Sequence, residues 1–247
     1  MDKSFPLNGW SSLAIHGGHT QDPLYAHQVP IYASSTYVYD DAEQGMSYLL
    51  ASATAKEIGP YLSLYRNARL PVSYPDVLIT GIGLTSTAYH LTRQVTLKRP
   101  ALIIQAGIAG CFDKNIPLGS VFVVKQDIVA DEGVLEDGKL KPFNKGWLIN
   151  PSSQLFQRSR LKAVRSISVN EVSTDKKITE QYVSLFHPVL ESMEGAALHY
   201  VCLRENIPFI QLRAVSNYIG ERDKKKWNIK EAIINLNNEL GRLLDIL

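Results

Sequence analysis

From Met46 onward, short continuous apolar runs alternate with longer segments whose apolar positions recur at helical spacing. The runs predict strands at 47–53 (SYLLASA), 76–80 (DVLIT), 101–107 (ALIIQAG), 120–129 (SVFVVKQDIV), 163–170 (AVRSISVN), 188–193 (PVLESM) and 208–215 (PFIQLRAV). The periodic segments predict helices at 55–67, with Pro60 inside the pattern, and at 84–98, 152–161, 194–206 and 229–246. Strands that are apolar throughout are buried on both faces. Interleaved with helices, they predict a three-layer α/β/α sandwich.

The first 45 residues differ. They are rich in Gly, Pro, Ser, His and Tyr, carry no helical period, and hold at most one short strand, STYVY. Such a segment reads as an extended arm. The expected organisation of the 247-residue chain is therefore an N-terminal arm, 1–45, and one α/β domain, 46–247.

Composition narrows the function classes. The chain is 45% hydrophobic and 20% charged with a net charge of +2, which gives nucleic acid no electrostatic footprint. The one basic run, Lys224–Lys226, reads as a solvated face. Cys111 and Cys202 sit in apolar contexts and read as reduced, buried thiols, which points to the cytoplasm. There is no run of 18 apolar residues and no secretory leader pattern, so neither a membrane span nor export is expected. His90 and His199 lie inside helical patterns and read as packed side chains, and His16 and His19 in the arm make too few ligands for a metal.

Candidate chemistry gathers at the strand-to-helix corners, where open α/β sheets bind ligands. One corner holds Glu57, a second pair holds TGIG (80–83) and AGIAG (106–110), and a third holds Glu194 in ESMEGAA. The last strand ends on Ser216 and Asn217. The glycines permit close backbone approach to a ligand but match neither a dinucleotide fingerprint nor a P-loop. Glu57 and Glu194 also read as helix N-terminal acids, which the macrodipole favours. Met193 also reads as core, and Asn217 as a turn cap. An amide is neither acid nor base, so a functional Asn217 must act through hydrogen bonds.

Taken together, ASATAKE, TGIG, QAGIAG, SMEGAALHYVC and LRAVSN resemble, in order, the nucleoside phosphorylase and nucleosidase family over residues 46–247. The resemblance implies a nucleoside phosphorylase-like fold with a mixed, twisted sheet, and cleavage of the N-glycosidic bond between a purine and ribose without a cofactor or metal. It implies Glu57 as the water-activating carboxylate, Met193 and Glu194 at the ribose, and Asn217 at the purine. It implies a segment from Val169 to Val172 along the base, with Asn170 and Val172 as contacts, and close approach at Gly83, Ala109 and Gly110. A small-molecule nucleoside substrate and a homo-oligomer follow from the same likeness.

The transition state of such a cleavage carries positive charge on the sugar and negative charge on the departing base. A carboxylate at the 2′-hydroxyl and donors at N7 and O6 match those charges. Phosphorylases of the family carry a Gly-Asp-Pro-x-Arg type loop after the first strand. Here Ala53-Thr54-Ala55-Lys56-Glu57 stands there, without an arginine, so hydrolysis is expected. Adenine-specific members have Asp where this chain has Asn217. An amide donates to O6, so a 6-oxopurine is expected. RAVSN, the Gly220-Glu221-Arg222-Asp223…Trp227 continuation and the short chain between Arg66 and Thr80 are similar to the branch that hydrolyses futalosine in menaquinone synthesis. Futalosine is an inosine-like nucleoside with a benzoate-bearing 5′ extension, for which Arg222 is a candidate partner; a structural salt bridge is the alternative for Arg222.

The arm resembles a different family. LAIHGGHTQDPLYAHQVPIYASSTYVYDDAEQG is similar to the opening of cystathionine γ-synthase and methionine γ-lyase type enzymes, which use pyridoxal phosphate. The likeness stops at Gly45, before that family's Tyr-x-Arg phosphate segment and Schiff-base lysine, so no cofactor is expected. Two readings stand beside futalosine hydrolysis. One is another purine nucleosidase or phosphorylase, of inosine/guanosine or methylthioadenosine/adenosylhomocysteine type. The other is a non-catalytic protein that docks through its arm.

Overall fold

The computed structural model describes residues 47–67, 75–143 and 146–247. The arm, its likeness to pyridoxal enzymes and the expected boundary at Met46 lie outside them.

The strands are β1 (Tyr48–Ser52), β2 (Asp76–Ile79), β3 (Leu102–Cys111), β4 (Val121–Asp127), β5 (Gly133–Glu136), β6 (Lys139–Pro142), β7 (Leu148–Ile149), β8 (Ala163–Ser168), β9 (Leu190–Ser192) and β10 (Phe209–Tyr218). The helices are α1 (Gly59–Asn67), α2 (Leu84–Leu97), α3 (Ser153–Ser159), α4 (Lys176–Phe186), α5 (Gly195–Arg204) and α6 (Ile229–Leu244), with a 3₁₀ turn at Lys224–Lys226. Among the described residues, no helix is long and apolar enough to cross a membrane.

The sheet is mixed, as expected. Strands β2, β1, β3 and β10 run parallel in that spatial order. Beyond β10 the chain adds β4 antiparallel, then β8 and β9 parallel to β4. Strand β9 then pairs back onto β3, antiparallel, through Gly110↔Glu191 and Cys111↔Leu190. Five strands thus close a ring, β3-β10-β4-β8-β9, and the layered sandwich is curled at one end. Closure of this kind removes sheet edges. Apolar side chains fill both sides. Leu50, Ile104, Ile210 and Leu212 pack with Leu236 and Leu240 of α6, while Leu49, Ile103 and Phe209 pack with Leu91 of α2 and Leu198 and Val201 of α5.

Three boundaries depart from expectation. Helix α1 starts at Gly59, because Pro60 belongs in a first turn, where its missing N–H costs nothing. Glu57 therefore precedes the helix, in a turn closed by its N–H donating to the Thr54 carbonyl at 3.2 Å. Strand β3 runs straight through Gly107–Gly110, where a turn was expected. Its glycines make room for neighbours: a Cβ on Gly107 would lie 2.3 Å from Arg213 Nη1, and one on Gly110 would lie 2.4 Å from Ile219 Cδ1. Strand β10 extends through Asn217, with a bulge against β3 between Val215 and Asn217. The β5–β6 hairpin and α4 were not expected at all.

Candidate active site

The parallel strands β1, β3 and β10 end at one rim, and β9 brings its own end beside β3. A cavity of about 360 Å³ opens there. Glu57, Ala109, Gly110, Val172, Met193, Glu194, Asn217 and Arg222 all line it. Gly83 touches the cluster through its backbone, which lies in the left-handed region at φ 96° and donates to Glu194 Oε1 at 3.3 Å. Asn170 is not part of the lining. It is exposed, and its N–H and amide both bond to the Asp131 carboxylate.

Glu57 is nearly buried and held from several directions. Its Oε2 accepts from the Thr54 N–H (3.0 Å), the Thr54 hydroxyl (3.0 Å) and the Ser52 hydroxyl (3.3 Å). Its Oε1 accepts a single bond, from the Ile108 N–H at 3.0 Å. Asn237, reaching from α6, fixes the turn by donating to the Glu57 carbonyl (2.7 Å) and accepting from the Tyr61 N–H (2.9 Å).

Glu194 stands at the N-cap of α5 without capping it. Its Oε2 lies 3.3 Å from Arg213 Nη2, with both side chains buried. Arg213 is 1% exposed and also donates to Gln105 Oε1 at 2.9 Å. The missing Cβ of Gly107 leaves room for the guanidinium beside β3; that Cβ would lie 3.1 Å from Glu57 Oε1 as well. Sequence reasoning gave Arg213 no role. The available signal was a cation inside an otherwise apolar strand, which requires a buried anion.

At Asn217 the bulge sets the direction of the side chain. Asn217 Oδ1 accepts from the Ser216 hydroxyl at 2.8 Å, while Nδ2 donates to the Tyr218 carbonyl at 3.2 Å. A carbonyl partner requires the nitrogen at that end, so the orientation is fixed. One N–H of the amide is left for a ligand.

Two further groups support the corner that carries Glu194. Ser168 bonds both the Ala196 N–H at the start of α5 and Asp127 Oδ1, each at 2.9 Å. Burial pushes the Asp127 carboxyl up to about 7 and pulls His199 down to about 4. His199 Nδ1 faces the Leu148 carbonyl at 2.8 Å and so carries the proton, leaving Nε2 as an acceptor. The Gln211 amide lies between these two groups, 3.3 Å from Asp127 Oδ2 and beside His199. With its Nε2 toward Asp127, Gln211 Oε1 and His199 Nε2 lack partners among the described residues. With Asp127 protonated and the amide reversed, Asp127 donates to Gln211 Oε1, while His199 donates to Leu148. Gly195 must lack a Cβ here, since one would lie 2.2 Å from Asp127 Oδ2.

The phosphorylase superfamily profile matches residues 74–247. The chain belongs to the phosphorylase superfamily. Among curated relatives, the futalosine hydrolase of Streptomyces coelicolor is 32% identical over 193 residues, covering 72% of this chain and 82% of the relative. The futalosine hydrolase of Thermus thermophilus is 29% identical over 180 residues, covering 68% and 80%. Among solved structures, a Helicobacter pylori methylthioadenosine nucleosidase mutant with 5′-methylthioadenosine in its active site superposes with a TM-score of 0.71, at 20% identity, over 82% of this chain and 99% of that one. That last likeness speaks for the fold alone. The superfamily match begins after β1, so Glu57 joins the site by geometry: it shares one cavity with Glu194 and Asn217, which lie inside the matched segment.

Proposed function

We propose that this chain is an N-ribosyl hydrolase that cleaves futalosine to hypoxanthine and dehypoxanthine futalosine, a reaction of menaquinone synthesis. The observation that carries this reading is the convergence of two carboxylates and the donor end of the Asn217 amide on one cavity. Its likeness to futalosine hydrolases supports the choice of substrate.

Glu57 takes the proton from the attacking water. Oε1 is the oxygen for this, since Oε2 already accepts three bonds and Oε1 only one. Glu194 holds a ribose hydroxyl and offsets the positive charge that grows on the sugar. Met193 packs on the ribose. Arg213 pairs with Glu194 at 3.3 Å and so holds that carboxylate in place. Asn217 donates its free N–H to the base as negative charge arrives there. Among the described residues, the cavity's cationic lining groups, Lys56 and Arg222, are exposed and form no ion pair. Arg222 thus forms no salt bridge among the described residues, which suits it to the benzoate of the 5′ extension. Phosphate in place of water would meet the Glu57 carboxylate directly, so hydrolysis is the favoured course.

The test is incubation with futalosine, inosine and methylthioadenosine, with and without phosphate, reading free base by chromatography. Hypoxanthine should appear from futalosine without phosphate. A phosphate requirement, or faster release of adenine from methylthioadenosine, overturns the reading.

A further inference from the structure

We propose that Glu191 accepts the N1–H of the departing 6-oxopurine and, with Asn217, sets which purine this site releases. The inference rests on the reading of the cavity as a purine nucleosidase site.

Glu191 lies on β9 at the pair that closes the strand ring, opposite Gly110 of β3. Asn217 of β10 is registered with the same Gly110 from the other side. The two side chains therefore belong to strands that flank β3 at one level. Neighbouring strands lie about 4.8 Å apart, so their backbones are roughly 10 Å apart, a span that fits a flat purine with a hydrogen bond at each edge. Both residues line the cavity.

The Glu191 carboxyl is 5% exposed and only half satisfied. Oε1 accepts from the Ser173 N–H at 3.2 Å, while Oε2 has no partner among the described residues. The Ser173 hydroxyl, with no other partner among the described residues, stands beside the carboxyl and can turn its single hydrogen toward it. No cation pairs with Glu191 among the described residues. Burial accordingly holds its carboxyl above the ordinary range. A buried acceptor left open is costly, and natural structures close nearly all of them. One hydroxyl hydrogen leaves the carboxylate lone pairs to spare on the cavity side, and a ligand that engages them must bring a donor.

Hypoxanthine offers that donor at N1, next to the O6 acceptor; adenine offers a lone pair at N1 and donors at N6. An acceptor at Glu191 and a donor at Asn217 match the first pattern and oppose the second. The carboxylate thus discriminates at the ring edge, where the Asn217 amide with one free N–H is not sufficient alone.

Glu191→Gln tests this, because its Oε1 still serves Ser173 and its NH2 replaces the open oxygen. With wild type and variant, kcat/KM is measured on futalosine and its 6-amino analogue. The variant should lose about 10- to 100-fold on futalosine, the cost of one buried mismatch. The futalosine-to-amine ratio should fall further still, since the new NH2 donates to N1 of adenine. An unchanged ratio overturns the role of Glu191 while leaving hydrolysis standing. Wild type inert on both nucleosides overturns the nucleosidase reading instead. Calorimetry then reads Glu191 without turnover and without relying on a variant: wild type should bind hypoxanthine at least 10-fold more tightly than 1-methylhypoxanthine, and equal binding refutes the proposal.

Discussion

Asn217 has one oxygen and two N–H groups, and the fold commits the oxygen to Ser216 and one N–H to Tyr218. Replacement by Asp turns the remaining donor into an acceptor facing O6. Asn217→Asp should lower kcat/KM on futalosine by roughly 10²–10³, the usual worth of one donor to a charge-bearing leaving group. It should do so less on the 6-amino analogue, and equal losses on both would remove Asn217 from the base. The two carboxylates should separate in a different way. Glu57→Gln loses the proton acceptor, a loss of roughly 10²–10⁴ in kcat. Glu194→Gln should lose activity and also stability, on the order of 3 kcal/mol, because Arg213 is then a buried cation without its anion. Urea denaturation compares the two variants, and equal midpoints would deny the Glu194–Arg213 pair its structural part. Polar residues at the ends of apolar strands were legible from the pattern alone. Their partners were not, since Glu194 meets Arg213 and Gly83 only through tertiary register.

Among the elements, the long apolar strands and the amphipathic helices α2 and α6 stood out by their period. Helix α4 was missed although Asp175 caps it, accepting from the N–H groups of Lys177 and Ile178, a signal that Thr174-Asp175 carried openly. The β5–β6 hairpin turns on Asp137-Gly138, both at positive φ, and its strands are too polar and exposed to stand out from a loop. Beneath α5, the buried Asp127 and His199 give the element a pH signature. Asp127 titrates near 3.8 when unfolded and about 7 when folded, so its contribution to stability falls as pH rises between them. His199 titrates near 6.5 when unfolded and about 4 when folded, so its contribution rises over nearly the same interval. Each slope is about 1.4 kcal/mol per pH unit, and the two oppose. Asp127→Asn, which mimics the protonated acid, removes one of them. Its stability relative to wild type should climb from about pH 4 to about pH 7. Parallel urea-stability curves across that window would show that Asp127 is ionised in the fold.

For the whole molecule, the fold class was readable because α/β alternation with fully apolar strands admits few architectures. Ring closure was not, because a hydrophobic pattern records which residues are buried and not which strands are neighbours. Strand β1 begins at Tyr48, and the Ser47 carbonyl already accepts from the Ala101 N–H at 2.8 Å. A chain begun at Met46 should therefore keep its kcat/KM on futalosine and lose less than about 2 kcal/mol of stability, and a larger loss in denaturant would place the arm within the domain's packing. The ring also has a history during synthesis. Strand β3 is made early, yet its long parallel partner β10 comes from the last part of the chain, with Ile103 against Phe209 and Gly110 against Asn217. Until β10 leaves the ribosome, β3 holds an open edge of buried-type residues, and the cavity has neither its Asn217 wall nor Arg213 to pair with Glu194. A nascent or prematurely ended chain thus lacks a complete site and exposes an unpaired strand edge, the kind of surface on which aggregation starts.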